Sequence, residues 1–195
     1  MVGMGKLSLP LDEAVEVFGS YMKDLVLAQV DAIKALNGFP PPALIAFDES
    51  TKAECINRFW YHFALERLAA AKKSTFRPGE DEGQRYIAFD ERALIRHKHF
   101  NNSLRTRNLS TQHSDRWITE GMVFDTLPNI GRCHFGYRMD STWTVMKDAF
   151  VTLPDRNYNL WVWQVWGPKF DDIGVMRRFG GQEPFFRYDD FSQAV

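Results

Sequence analysis

Apolar residues return at helical spacing near the start of the chain. Leu11, Val15, Phe18, Met22, Leu25, Ile33 and Leu36 fall on one face of a 3.6-residue period, which predicts a helix from Leu11 to Leu36. Asp12 and Glu13 sit in its first turn, where the helix dipole favours anions. Asn37-Gly38 ends it, and Pro40-Pro41-Pro42 forbids continuation. The run PPPALIAF then reads as a connector. A second helix is expected from Lys52 to Lys72, with Ile56, Phe59, Trp60 and Phe63 as its apolar stripe. Thr51 and Glu54 have the spacing of a capping box, and Lys72 and Lys73 suit the C-terminal end. KSTFRPGEDEGQ reads as an exposed loop.

From about Arg85 the period changes from helical to alternating. RYIAF and ALIRHKHF read as strands joined by a turn at Asp90-Glu91. Later, CHFGYRM, TWTVMKDAFVTL and YNLWVWQVW are β-rich runs separated by Asp140-Ser141 and by Pro154-Asp155-Arg156-Asn157. That is the pattern of an antiparallel meander. Residues from Gly167 onward read as irregular. The expected architecture is α+β. Two N-terminal helices pack on a mostly antiparallel sheet that ends in a three-stranded meander and an aromatic tail. One domain over residues 1–195 accommodates this, with a helical part at 8–73, a β-rich part at 85–167 and a tail at 168–195.

Composition supports a packed core. Aromatics make up 14% of the chain, with six Trp and sixteen Phe, and each buries a large area. The net charge is −1, so no whole-protein field draws polyanions. Charge is nonetheless segregated. Between Arg96 and Trp117 the chain carries Arg96, Lys98, Arg105, Arg107 and Arg116 against the single carboxylate Asp115, which leaves the remainder acidic. Two cysteines, Cys55 and Cys133, are too few for a disulfide framework and form no CxxC pair, which points to a reducing compartment. The N-terminal MVGMGKLSLP lacks the build of a signal peptide, and no apolar run approaches bilayer length. A cytoplasmic protein with no membrane partner is expected.

Walker A, GxGxxG, GxSxG and HExxH motifs are all absent, so no cofactor is expected and the well-marked enzyme classes drop out. His97 and His99 alternate on a strand and share a face, so with His113, Asp115 or His134 they can begin a metal site. The HxH lacks a closely following Glu, and the simpler reading is a pair of surface histidines on an edge strand. No metal is expected. Arg132, His134 and Arg138 share one strand face opposite Cys133, Phe135, Tyr137 and Met139, which reads as a solvated face backed by a core face. His62, with Arg58 and Glu66 four residues either side, reads as an ion-paired solvated stripe.

Arg96, Lys98, Arg105, Arg107 and Arg116 are residue types that neutralise phosphates, and Trp117 can stack a base. The favoured reading is a small binding protein that meets a protein or a nucleic acid at residues 96–117, with Arg105 and Arg107 as anion contacts. A first alternative is a metal-independent ribonuclease or other phosphoryl-transfer enzyme, with His113 or His97 as acid/base and Arg107 as phosphate clamp. Arg107-Asn108 followed by four residues and His113 resembles the catalytic motif of HEPN ribonucleases. In that family the pattern implies an Arg that steadies phosphate and a His that moves protons. The resemblance spans seven residues, and HEPN domains are all-helical whereas this chain turns to strands. A second alternative is a purely structural or inhibitory protein-interaction module that uses the aromatic tail, where Phe185, Phe186, Tyr188 and Phe191 interleave with Arg187, Asp189 and Asp190.

Overall fold

A computed structural model describes residues 9–73, 75–81, 83–106, 117, 130–155 and 158–168, and the backbone of 186–188. Helices α1 (Leu11–Asn37), α2 (Pro41–Ala46) and α3 (Glu49–Ala70) precede seven strands. These are β1 (Phe76–Asp81), β2 (Gln84–Phe89), β3 (Ala93–His99), β4 (Gly131–Met139), β5 (Met146–Asp155), β6 (Tyr158–Trp166) and β7 (Phe186–Tyr188). They form one sheet whose spatial order follows the chain. β3 runs parallel to β4 and β6 to β7, and every other neighbouring pair is antiparallel. The fold is α+β with a mostly antiparallel sheet.

The expected apolar stripe of α1 is the one that packs. Phe18, Met22 and Leu25 are fully buried between α3 and the sheet, and the C-terminus is closed at Gly38. Trp60 of α3 donates its indole N–H to the Leu25 carbonyl at 3.1 Å, and Arg67 bonds Asp31 at 2.9 Å, which fixes α3 across α1. The start of α3 differs from expectation. Asp48, not Thr51, caps the helix, because its carboxylate accepts the Thr51 N–H at 2.7 Å. The PPPALIAF connector holds a helical turn, α2, since proline at the first helical positions loses no hydrogen bond.

Three further expectations are corrected in the sheet. KSTFRPGEDEGQ is not a loop: Phe76–Asp81 pairs along its whole length with β2, Phe76 opposite Phe89 and Asp81 opposite Gln84. An edge strand can carry Pro78, Gly79 and acidic residues because one side needs no ladder partner. Gly79 lets the Tyr86 ring lie close over the strand, where a Cβ would come within 2.3 Å of it. Pro154 and Asp155 extend β5 past a register shift rather than forming the turn. The tail is not wholly irregular, because β7 adds a parallel strand beside β6.

Alternation gives the sheet two faces. One carries Ile87, Phe89, Ile95, His97, Phe135, Tyr137, Val151 and Trp163 against α1 and α3. On the other, Phe100, Leu104, Phe150 and Val162 form one apolar cluster, and Ala88, Leu94 and Trp117 form another. Phe100, Leu104 and Trp117, which lie between the parallel strands β3 and β4 in the chain, pack on this second face. The expectation of a solvated face at Arg132 and His134 is therefore wrong: both are buried.

Candidate functional site

β3 is an interior strand with β2 on one side and β4 on the other, not an edge. Its partnership with β4 runs from Ala93 to His99. With β2 it is shorter, covering only Ala93 to Ile95 against Phe89 to Ile87. Beyond that point the β1–β2 hairpin parts from β3. A cleft of about 360 Å³ opens there, lined by Glu54, Asn57 and Arg58 of α3, Glu80, Gly83, Gln84 and Arg85 of the hairpin, and Arg96, His97 and Lys98 of β3.

The cations in this cleft are held by their surroundings. Arg58 donates to Glu54 at 2.7 Å one helical turn away. Arg85 stands 3.7 Å from Glu80, and 5.5 Å above the Tyr61 ring. Arg96 is only 3% exposed, with Asp81 at 4.0 Å and the Trp117 ring centroid 3.6 Å from its guanidinium carbon. His134, the register partner of Arg96 on β4, lies parallel to Trp117 with centroids 6.5 Å apart, a spacing that suits a planar group between them. Lys98 is strongly perturbed. Burial, reinforced by Arg96, brings its pKa down to about 8, with Glu54 acting in the opposite direction.

His97 faces the helices. Its ring is stacked on Trp60 (4.5 Å) and on Tyr137 (5.2 Å), and its Nε2 is bonded to Gln29 Oε1. With that oxygen accepting, the proton sits on Nε2 and Nδ1 is a lone-pair acceptor. Burial first, then Lys98 and His99, hold the His97 pKa well below the usual imidazole range, and burial does the same to His134. Both rings are neutral at physiological pH. That state does not suit His97 to general acid catalysis at neutral pH, although it lines the cleft.

No family model, curated protein or solved structure matches the chain. The reading of the site therefore rests on geometry. Of the residues marked out in the sequence, the structure brings Arg96, His97 and Lys98 to one cleft and leaves Arg105 exposed on a tight turn just beyond β3. That turn is shaped by Asn101, whose side chain accepts the backbone N–H groups of Ser103 and Arg105. Trp117 is 2% exposed and its ring is used against Arg96, so the expected base-stacking platform is an internal contact. Arg107, His113, Asp115 and Arg116 lie outside the described residues, and with them the resemblance at Arg107–His113. His99 packs on Tyr137 and Trp143, while His134 is on the opposite face from His97 and His99, so these three histidines do not converge. Among the described residues no three His, Cys, Asp or Glu side chains form a metal-binding group. Likewise no helix is long and apolar enough to cross a membrane.

Seven of the ten lining residues are not marked out as site residues in the sequence. Glu54, Asn57 and Arg58 fall at the i, i+3 and i+4 positions of one helix stripe, a visible signal that reads equally well as a solvated face. Glu80, Gln84 and Arg85 required the β1–β2 hairpin to be recognised, and Gly83, with φ of +77°, was its one strong turn signal.

Proposed function

We propose that this is a small binding protein that takes an anionic group of its partner at the open end of β3, in the cleft between α3 and the β1–β2 hairpin. The observation that carries this reading is the gathering of Arg58, Arg85, Arg96 and Lys98 from three separate elements around one cleft, against two carboxylates, Glu54 and Glu80. Arg58 and Arg85 are exposed, so a ligand can reach them from solvent, and Lys98 is half-buried beside them on β3. Arg105 stands exposed on the turn just after β3. Among the anionic partners weighed from the sequence, nucleic acid is the one this arrangement supports best, because phosphates are met by clustered Arg and Lys.

The test is a titration of labelled single-stranded RNA and duplex DNA at low and physiological salt, with chelator present, using the wild type, Lys98→Gln and Arg105→Glu. Salt-sensitive binding that weakens in both variants is the expected result. Absence of binding at low salt would remove the nucleic-acid form of the reading. Binding unchanged in both variants would move the site away from β3.

A further inference from the structure

We infer that the apolar corner formed by α2 and the end of α1 is the contact through which two copies of this chain associate. The inference goes beyond the cleft and does not rest on it. Residues 39–47, FPPPALIAF, carry no polar side chain. None of them is buried, and Pro40, Pro41, Pro42, Ile45 and Ala46 are exposed. Ile45 is 84% exposed and Val145 60%, and they are the exposed large apolar side chains among the described residues. Both sit at the C-terminal end of α1. α2 follows that end after a short link, and the Asn37 amide donates to the Thr144 carbonyl at 3.1 Å, which ties the turn before β5, and Val145 with it, to the same place. An apolar surface that is contiguous in this way marks a contact more often than a scatter of single side chains does. The corner also has a defined shape. Phe39 and Phe47 pack on each other with ring centroids 5.6 Å apart, and Phe39 packs on Phe59 of α3 at 6.2 Å. These rings pin both ends of the segment to the helical layer, and proline at the first positions of α2 sets its backbone. α2 therefore holds Ile45 outward on a preformed backbone, and covering it costs little ordering entropy.

Charge selects the occupant. Between Lys34 and Asp48 the chain has no ionisable side chain. Lys34, exposed in the last turn of α1, precedes the apolar run, and Asp48 and Glu49, exposed at the start of α3, follow it. A run with a cation at one end and carboxylates at the other is complementary to its own copy turned end for end. About a two-fold axis, Lys34 of each copy then meets the Asp48-Glu49 pair of the other, and the apolar residues between them meet across the axis. Arg58 and Arg67, further along α3, are paired with Glu54 and Asp31 and add no net charge to the rim. A polyanion would meet one cation against two carboxylates here, and a strongly charged protein of either sign would find little net attraction. The contact is small. The segment and Val145 fall short of the roughly 20–30 residues a side of a standard interface, so the expected dimer is weak, with a Kd on the order of 10–100 µM.

The experiment is sedimentation velocity with light scattering, on the full chain, at protein concentrations from well below to well above that Kd. The proteins are the wild type, Ile45→Asp, Lys34→Glu, Glu49→Lys, the double variant Lys34→Glu/Glu49→Lys, and Arg77→Gln as a surface change on β1. Ile45, Lys34 and Glu49 are exposed, so their replacement leaves the core intact, and circular dichroism confirms that each variant is folded. Expected is a monomer–dimer equilibrium in the wild type and in Arg77→Gln. Ile45→Asp should weaken it by about tenfold or more, because it places a charge at the centre of the apolar contact. Each single charge reversal should weaken it as well, and the double variant should recover it, since the two ends have then exchanged signs. A wild type that stays monomeric over the whole range would overturn the inference and leave the corner to a partner of another kind. A dimer that Ile45→Asp leaves intact would overturn it too, by placing the contact elsewhere on the surface. Association lost in Ile45→Asp but not recovered by the double charge reversal would overturn the end-for-end arrangement.

Discussion

Acid should unfold this protein earlier than its carboxylates alone require, because two imidazoles are buried in neutral form. His97 is 4% exposed and His134 2%, and burial holds both pKa values well below 6.5. In the unfolded chain both titrate near 6.5. Below that pH the unfolded state binds protons that the folded state refuses, so stability falls as pH falls, starting near 6.5 and continuing down towards the folded values. A ring that stayed neutral in the fold throughout would cost about 2 kcal/mol between pH 7 and pH 5, which sets about 4 kcal/mol as the ceiling for the pair. That is a large share of a typical stability of about 5–15 kcal/mol. The assay is urea unfolding followed by tryptophan fluorescence at the two pH values, for the wild type and for the His97→Asn/His134→Asn double variant. The variant is less stable throughout, since it loses the Trp60 and Tyr137 stacking and the Gln29 bond, but its drop from pH 7 to pH 5 should be smaller, by up to about 4 kcal/mol. Asp140, Asp48 and Glu16, whose pKa values are lowered by hydrogen bonds, contribute equally to both proteins and cancel in the difference. Equal drops would refute the assignment of buried neutral histidines.

Lys98→Met should stabilise the unliganded protein at neutral pH by a few kcal/mol. The folded Lys98 pKa of about 8 lies below the unfolded 10.5, so wild-type stability from this group rises with pH between those values; a difference between the two proteins that shrinks as pH climbs from about 8 to 10 checks it. Gly136→Ala should cost roughly 2–3 kcal/mol in urea unfolding, because the new Cβ would lie 2.4 Å from the Phe100 ring and 2.5 Å from the Lys98 carbonyl oxygen, a backbone atom that cannot swing aside. Asp148→Ala should cost about 3–5 kcal/mol, since it strips Arg138 of the carboxylate that its guanidinium grips with both Nε and Nη2 in a largely buried site. Replacing both partners with Leu and Met should recover most of that loss in the same assay.

What was legible in the sequence is what local periodicity controls. The α1 stripe is legible from its spacing, because it buries one regular face, the meander of β4, β5 and β6 from its β-rich runs between turn clusters, and the turn at Asp90-Glu91 from its residue types. β1 was not, since Pro78, Gly79, Glu80 and Asp81 have poor strand propensity and are held by hairpin pairing with β2. The cleft was only partly legible. Arg96 and Lys98 stand out as charges, but the burial of Arg96 depends on Trp117, which the chain places against it only after β3 has ended. A polar segment gives no local sign that it will be covered by residues further along.

β3 is also where local pattern and location disagree most. An interior strand covered on both faces normally reads as a run of Val, Ile and Leu. Its first half obeys, with Ala93, Leu94 and Ile95 fully buried or nearly so. Its second half places Arg96, His97, Lys98 and His99 in the same interior strand, at the cost of desolvating a guanidinium, an ammonium and an imidazole. The change falls where β2 stops pairing, so polar sequence, loss of a strand partner and the opening of the cleft coincide at Ile95. Apolar residues at 96 and 98 would make a more stable sheet and would need no Asp81 or Trp117 to accommodate them. Places where a chain forgoes that stability are where function is most economically sought. By this reasoning the cleft, rather than the exposed turn at Arg105, is the part of the basic segment on which a partner depends most.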